Sequence, residues 1–332
     1  MTTAHPTDAA TATRWRIIGI VCIIGAVWTF SSQDAGIKWL SGDYPLHEIT
    51  FIRSVIALII TLAIIIPLEG GFENLKTERI GLHLLRGMTV VAANMAFFTG
   101  LASLPLAEAT AIIFVSPLFI TIFSVLLLSE KVGARRWAAV LVGLAGVMIV
   151  MKPGGNTFHY AAILPLIAAI CYALLQIMTR KLGFTDKAST MAFYIHLTFF
   201  AFSGLVGLLL GDGRLAGSDS ANLEFLTRAW IWPETQDILI IGGIGILAAL
   251  GGYLISQGYR LCPANIGAPF EYAALPMGIA WSIILWGHWP DGWSWIGIAL
   301  IAGAGLYVFY RETMSGRPVR WRSPIRRRSE PV

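Results

Sequence analysis

Ten apolar runs, each bounded by charge, proline or glycine, divide the chain at roughly 17 to 39, 47 to 67, 82 to 101, 104 to 128, 134 to 151, 160 to 180, 189 to 210, 237 to 260, 264 to 287 and 294 to 311. Each is close to the ~20 residues a helix needs to cross a ~30 Å hydrocarbon core at ~1.5 Å per residue. The connections are short, the longest internal one running from Gly211 to Gln236. The pattern predicts an all-α polytopic membrane protein with ten transmembrane helices. The first run follows Arg14 and Arg16 as a secretory leader would. It is longer than a leader's apolar core and lacks a small-x-small cleavage site, so it reads as a retained span.

Composition agrees and removes alternatives. Hydrophobic residues make up 56% and charged residues 13% of the 332, which leaves little chain for a soluble domain. Cys22, Cys171 and Cys262 stand far apart, without the spacing of a zinc site or disulfide framework. His47 and Glu48 open HEITF, but Phe51 stands where a zinc helix needs its second histidine. Gly243 and Gly245 imitate a dinucleotide loop inside an apolar run with no strand before it. With no Gly-x-Ser-x-Gly and no phosphate loop, neither enzyme chemistry nor a cofactor is expected.

The net charge of +5 is unevenly placed. Numbering the loops alternately puts nineteen of the 24 basic residues on the side of the N-terminus, Arg86 and the seven arginines after Tyr310 among them. Lys38, Lys152, Arg214 and Arg228 fall on the other side, and Arg53 lies within a run. This bias places both termini in the cytoplasm of a bacterial inner membrane, and the arginine-rich tail reads as a lipid anchor with no nucleic-acid partner.

The two halves correspond. Gln33 and Lys38 match Gln176 and Lys181 at an offset of 143, which also sets Phe51 on Tyr194 and Arg53 on His196. Gly100, Pro105 and Trp137 match Gly258, Pro263 and Trp295 at an offset of 158, the extra residues falling in the loop after Gly211. Five crossings per unit start the second unit on the opposite face, so the repeats are expected to be inverted, an architecture of secondary transporters. The expected divisions are 1–13, a disordered cytoplasmic N-terminus; 14–153 and 154–312, the two five-helix repeats; and 313–332, a basic cytoplasmic tail.

Polar residues inside the runs are the candidate site. Asp34 lies roughly 7 to 8 Å, and Arg53 about 9 Å, inside the same surface, so a salt bridge facing a cavity is expected between them. A purely structural pair is the alternative. Glu271, between Pro269 and Pro276 in the ninth run, is a candidate for a coupling proton or for the counter-charge of a cationic solute. Gln33, Asn94, Gln176, Tyr194, His196, Gln257 and Tyr272 complete the set of candidate substrate-binding residues. Gln33 and Gln176 occupy equivalent places and could bond a solute from two sides or simply join helices. Phe97, Phe114, Phe270 and Tyr272 could stack on a planar ring. Ala139 with Gly143, and Ala299 with Gly303, allow close helix contact within the chain or in a homodimer.

Three segments carry a family resemblance: ITFIRSVIAL in the second run, LRGMTVVAANMAFFTGLASLPLAEATAIIFVSPLF across the third and fourth, and LLLSEKVGARRWAAVLVGLAGVMIVMKPG closing the first half. The second half adds GYRLCPANIGAPFEYAALPMGIAWSIILWGHWPDGWSWIGIALI. Over about residues 15 to 312 the chain resembles the drug/metabolite transporter superfamily of the EamA type, in the branch with S-adenosylmethionine uptake and riboflavin transporters. The resemblance implies a small polar substrate, amino-acid-, nucleoside- or flavin-like, carried by alternating access without covalent chemistry. It leaves export and an intramembrane enzyme acting on lipid as the other readings.

Overall fold

The computed structural model describes residues 6–77, 79–128, 133–151, 160–182, 188–261 and 268–314, and among them the only regular secondary structure is helix. Crossing 1 is α1 (Pro6–Leu40). Crossing 2 is α2 (Leu46–Ile60), prolonged by a π turn over Thr61–Ile65 and a last turn over Ile66–Leu68. Crossing 3 is α3 (Ile80–Leu101), and crossing 4 is broken into α4 (Leu106–Ile113) and α5 (Ser116–Leu128). Then come α6 (Ala134–Met151), α7 (Ile163–Leu182) behind a 3-10 turn, and α8 (Ala188–Leu210). The connection that follows carries a short α9 (Ala221–Thr227). Crossing 8 is α10 (Thr235–Leu261), crossing 9 a 3-10 segment Ala268–Ala273 leading into α11 (Ala274–Trp286), and crossing 10 α12 (Gly292–Met314).

Six of these crossings are long and apolar enough to span a membrane, and four shorter apolar helices occupy the remaining expected runs. Three details differ from the expectation. The fourth run breaks at Phe114 and Val115 because Pro117 has no N–H for the carbonyl of Ile113. α1 starts at Pro6, within the segment expected to be disordered. Arg86, counted above with the loop charges, is a buried residue of α3.

Helix pairing repeats itself under exchange of the halves. Crossing 1 packs on crossings 8 and 9 as crossing 6 packs on 3 and 4; crossing 2 packs on 8 as 7 packs on 3. Crossings 2 and 7, 4 and 9, and 5 and 10 pair with each other. The glycines matched in sequence make equivalent approaches. A Cβ on Gly100 would meet Pro165 Cδ at 2.7 Å and the Ala161 carbonyl at 3.1 Å, and one on Gly258 would meet Ile23 Cγ1 at 2.5 Å and the Gly19 carbonyl at 3.1 Å. Only glycine lets these backbones come so close.

The two ends of the bundle are built differently. At the end that holds the long connection, here the lid face, Lys38 Nζ donates to the carbonyl of Leu101, the last residue of α3, at 2.7 Å and to that of Leu104, in the connection after it, at 2.6 Å. The Tyr44 hydroxyl donates to Asp237 Oδ2 at 2.7 Å and accepts the Glu234 N–H at 3.1 Å. Burial and the bond to the Asp237 carboxylate push the Tyr44 phenol up. Glu48 accepts the Ile231 N–H at 3.3 Å, and Ser103 donates to Asn222 of α9. Phe225 of α9 is fully buried, worth about 2 kcal/mol in holding the segment down. Trp230 stacks on His47 at 5.8 Å. At the opposite, terminal face, Glu69 accepts the Ser189 N–H at 3.1 Å and the Gln257 amide at 3.0 Å.

Candidate functional site

Between the two faces, α1, α2, α3 and α8 place a charged pair among rings. Arg53 is 4% exposed, and its guanidinium carbon lies 5.0 Å from the Phe199 ring centre and 5.9 Å from that of Phe98. The flat guanidinium is thus held by two aromatic faces, a contact worth about 2 kcal/mol when desolvated. Asp34, half-buried on α1, supplies the opposite charge and hydrogen-bonds the Gln33 side chain. Gln33 is 5% exposed. His196 of α8 feels the Arg53 charge from the other half of the protein, and its Nε2 lies 3.8 Å from where a Cβ on Gly252 would stand.

Crossing 8 can come this near because of Gly245, one of the two glycines that imitated a dinucleotide loop. A Cβ on Gly245 would sit 2.7 Å from Ile56 Cβ and 3.2 Å from the Arg53 carbonyl. The pair is balanced in charge and lined by both halves, an arrangement suited to a polar solute with a planar ring.

The remaining expected residues lie elsewhere. Asn94, half-buried, donates to the Val90 carbonyl of its own helix at 3.3 Å. Tyr194 is turned toward the terminal face, where its hydroxyl donates to the Leu75 carbonyl at 2.9 Å and its ring stacks on His83 at 4.9 Å. Gln257 bridges Glu69 and the Tyr253 hydroxyl at that same face. Glu271 and Tyr272 lie in the 3-10 segment that packs on α1 and α12. Tyr272 is buried against Phe114 at 5.3 Å, and a Cβ on Gly305 would collide with its hydroxyl. Glu271 interacts with Tyr272 through charge. Gln176 belongs to α7, and its side chain lies outside the described residues.

Sequence reasoning missed Phe98 and Phe199, having singled out Phe97 instead. It also treated Lys38 as a loop charge and passed over Glu69. Lys38 and Glu69 carried a signal: each is a charge within one turn of a run's end, where a helix C-terminus or a neighbouring helix N-terminus is in reach.

An apolar bundle of this kind, with a charged pair lined by both halves, is a polytopic membrane protein, and its relatives are transporters. Residues 17–152 match the EamA-like transporter family. A riboflavin transporter of Vibrio cholerae serotype O1 is 30% identical over 297 residues, covering 89% of this chain and 91% of that one. An S-adenosylmethionine uptake transporter of Rickettsia bellii is 25% identical over 295 residues, covering 89% and 94%. A solved crystal structure matches with a TM-score of 0.60 at 19% identity, over 93% of this chain and 99% of that one, which shows the fold alone. The chain belongs to the EamA-like transporter family of the drug/metabolite transporter superfamily. It is a transporter of small molecules, not an enzyme, and the lipid-modifying alternative falls away.

Proposed function

We propose that the protein is an inner-membrane carrier that takes up a ring-bearing polar metabolite of the flavin or S-adenosylmethionine kind by alternating access, with both termini in the cytoplasm. The observation that carries this reading is the Asp34–Arg53 pair set against Phe98 and Phe199, with His196 facing it from the second half. Charge-balanced polar groups can bond heteroatoms at a ring's edge while the phenyl rings contact its face.

Inverted repeats of 14–153 and 154–312 are supported by the exchanged helix pairings, and by Gly100 and Gly258 making like contacts at opposite ends of the bundle. Inverted units that rock about a central site would expose it to each face in turn. The excess of lysine and arginine on the terminal side supports a cytoplasmic terminal face. Of the two relatives' solutes, the flavin is the better fit. S-adenosylmethionine carries a sulfonium charge that would have to enter beside the buried Arg53 guanidinium, whereas an isoalloxazine ring is uncharged.

The test is counterflow in proteoliposomes, following entry of labelled riboflavin and labelled S-adenosylmethionine against the same solutes loaded inside. Saturable riboflavin exchange is expected, lowered at least about a hundredfold by Asp34→Asn, because the change leaves Arg53 buried without its counter-charge. Exchange of neither solute by a correctly inserted protein would sink the reading. Running Glu271→Gln alongside shows whether that carboxylate carries a coupling proton: uptake that keeps its pH dependence would exclude it.

A further inference from the structure

Arg86 lies six residues past the start of α3 at Ile80, about 9 Å inside the terminal-face end. Only 8% of it is exposed. Its Nε is buried with no hydrogen-bond partner, and among the described residues neither an ion pair nor the charge of any carboxylate reaches it. Arg53, 4% exposed, has the opposite charge of Asp34. A largely buried guanidinium with no counter-charge, whose Nε is sealed off without a hydrogen bond, is a standing cost that folded proteins avoid unless the group has a use.

The walls around Arg86 are close. One turn earlier His83 is buried and stacked on Tyr194, and the next residue, Gly87, has room for no Cβ, which would fall 2.3 Å from Thr198 Oγ1. Crossings 3 and 7 therefore shut the arginine in from that side. A guanidinium offers parallel N–H donors that match the two oxygens of a carboxylate or phosphate.

We propose that Arg86 is an oxyanion subsite in the terminal-face half of the protein, taking the carboxylate or phosphate group of a solute or of a lipid headgroup. It sits roughly 12 Å along the membrane normal from Arg53, given a ~30 Å core entered to about 9 Å from each side. Its place as a second station for the solute rests on the carrier reading; the subsite itself does not.

The experiment melts the full-length protein in phosphatidylcholine nanodiscs, with inorganic phosphate exchanged for chloride at constant ionic strength. Saturating phosphate should raise the wild-type Tm by about 3 °C. Arg86→Met should melt at or above wild type in chloride, since it relieves an unanswered charge, and should not respond to phosphate. Arg86→Lys should keep part of the response. The subsite is overturned by a wild type without a saturable response, by Arg86→Met responding like wild type, or by Arg86→Met melting well below wild type in chloride. A second arm uses discs containing phosphatidylglycerol. If these stabilise wild type but not Arg86→Met and remove the phosphate response, the subsite holds and its occupant is a headgroup; a surviving phosphate response assigns a soluble oxyanion. Failure of counterflow with the phosphate response intact would sink the carrier reading and leave the subsite.

Discussion

The lid face and the terminal face close the same bundle by different means. At the lid, side chains from crossings 1 and 2 and from the 3–4 connection reach backbone or side-chain groups in at least three other segments, and α9 is pressed down by Phe225. Among the described residues of the terminal face, the Glu69 carboxylate ties crossing 2 to the start of crossing 7 and the end of crossing 8, and the Tyr194 hydroxyl of crossing 7 donates to the Leu75 carbonyl. Ties spread over several side chains must break together, whereas bonds gathered on one carboxylate, as on Glu69, are lost together. For a carrier, the lid ties describe a face that is shut. The sequence difference between the halves lies at the same place, since the extra residues of the second half are those that build the lid.

The strongest way to break this comparison is to weld the lid. Ser103 and Asn222 are in hydrogen-bond contact, so Ser103→Cys with Asn222→Cys, in a background lacking Cys22, Cys171 and Cys262, should oxidise to a disulfide. If the lid must lift in each cycle, the oxidised protein should fall to less than about a tenth of its counterflow and recover on reduction. Full activity with the bond formed would mean that solute never passes there.

A milder change weighs the two faces against each other. Lys38→Met removes two charge-assisted hydrogen bonds, and a net loss of about 2 kcal/mol corresponds to roughly a thirtyfold shift toward an opened lid. Glu69→Gln keeps an acceptor and loses only its charge, so about 1 kcal/mol, or fivefold, is expected at the terminal face. Alkylation of Ser103→Cys by a membrane-impermeant maleimide reads the first, and amide exchange at Ser189 reads the second. Equal effects, or a larger one from Glu69, would remove the asymmetry.

How much of this was legible in the sequence depends on what hydropathy encodes. It reports depth, so all ten runs have a helix, and Asp34 and Arg53, placed at matching depths, interact through charge, although the salt bridge expected between them is not among the ion pairs of the described residues. It says little about rotation. Tyr194 and His196 stand two residues apart, about 200° around a helix, and one turns to His83 while the other faces Gly252 and Arg53. Phe97 and Phe98 differ by about 100°, and it is Phe98 that meets Arg53. Gln257 was grouped with the site because its run is apolar, but it lies one turn from the end of α10, where loop residues such as Glu69 can reach it. The glycines at 245 and 252 carried a signal of another kind. They mark where crossing 8 comes close to crossings 2 and 7, which no motif search would report.

The smallest effect concerns the part of the lid that faces water. Glu224 of α9 accepts the Gly217 and Ser218 N–H groups at 2.8 and 3.1 Å, and Arg228 lies 3.6 Å away. Gly217 holds φ at +94°, which lets the chain turn both amides back onto the carboxylate. Those bonds, with a lesser contribution from Arg228, hold the Glu224 carboxyl below its usual 4.5. A folded-state pKa below the unfolded one contributes stability that is complete above pH 4.5 and disappears as pH falls through the lowered value. Exchange protection of the Gly217 and Ser218 amides should therefore exceed that of Glu224→Gln at pH 6 and converge with it toward pH 3. Convergence without loss of counterflow would show that this corner only trims the lid, while Phe225 and the Ser103 contact hold it. A protection ratio that stays constant over the whole range would mean that the carboxylate charge has no part in keeping the lid down.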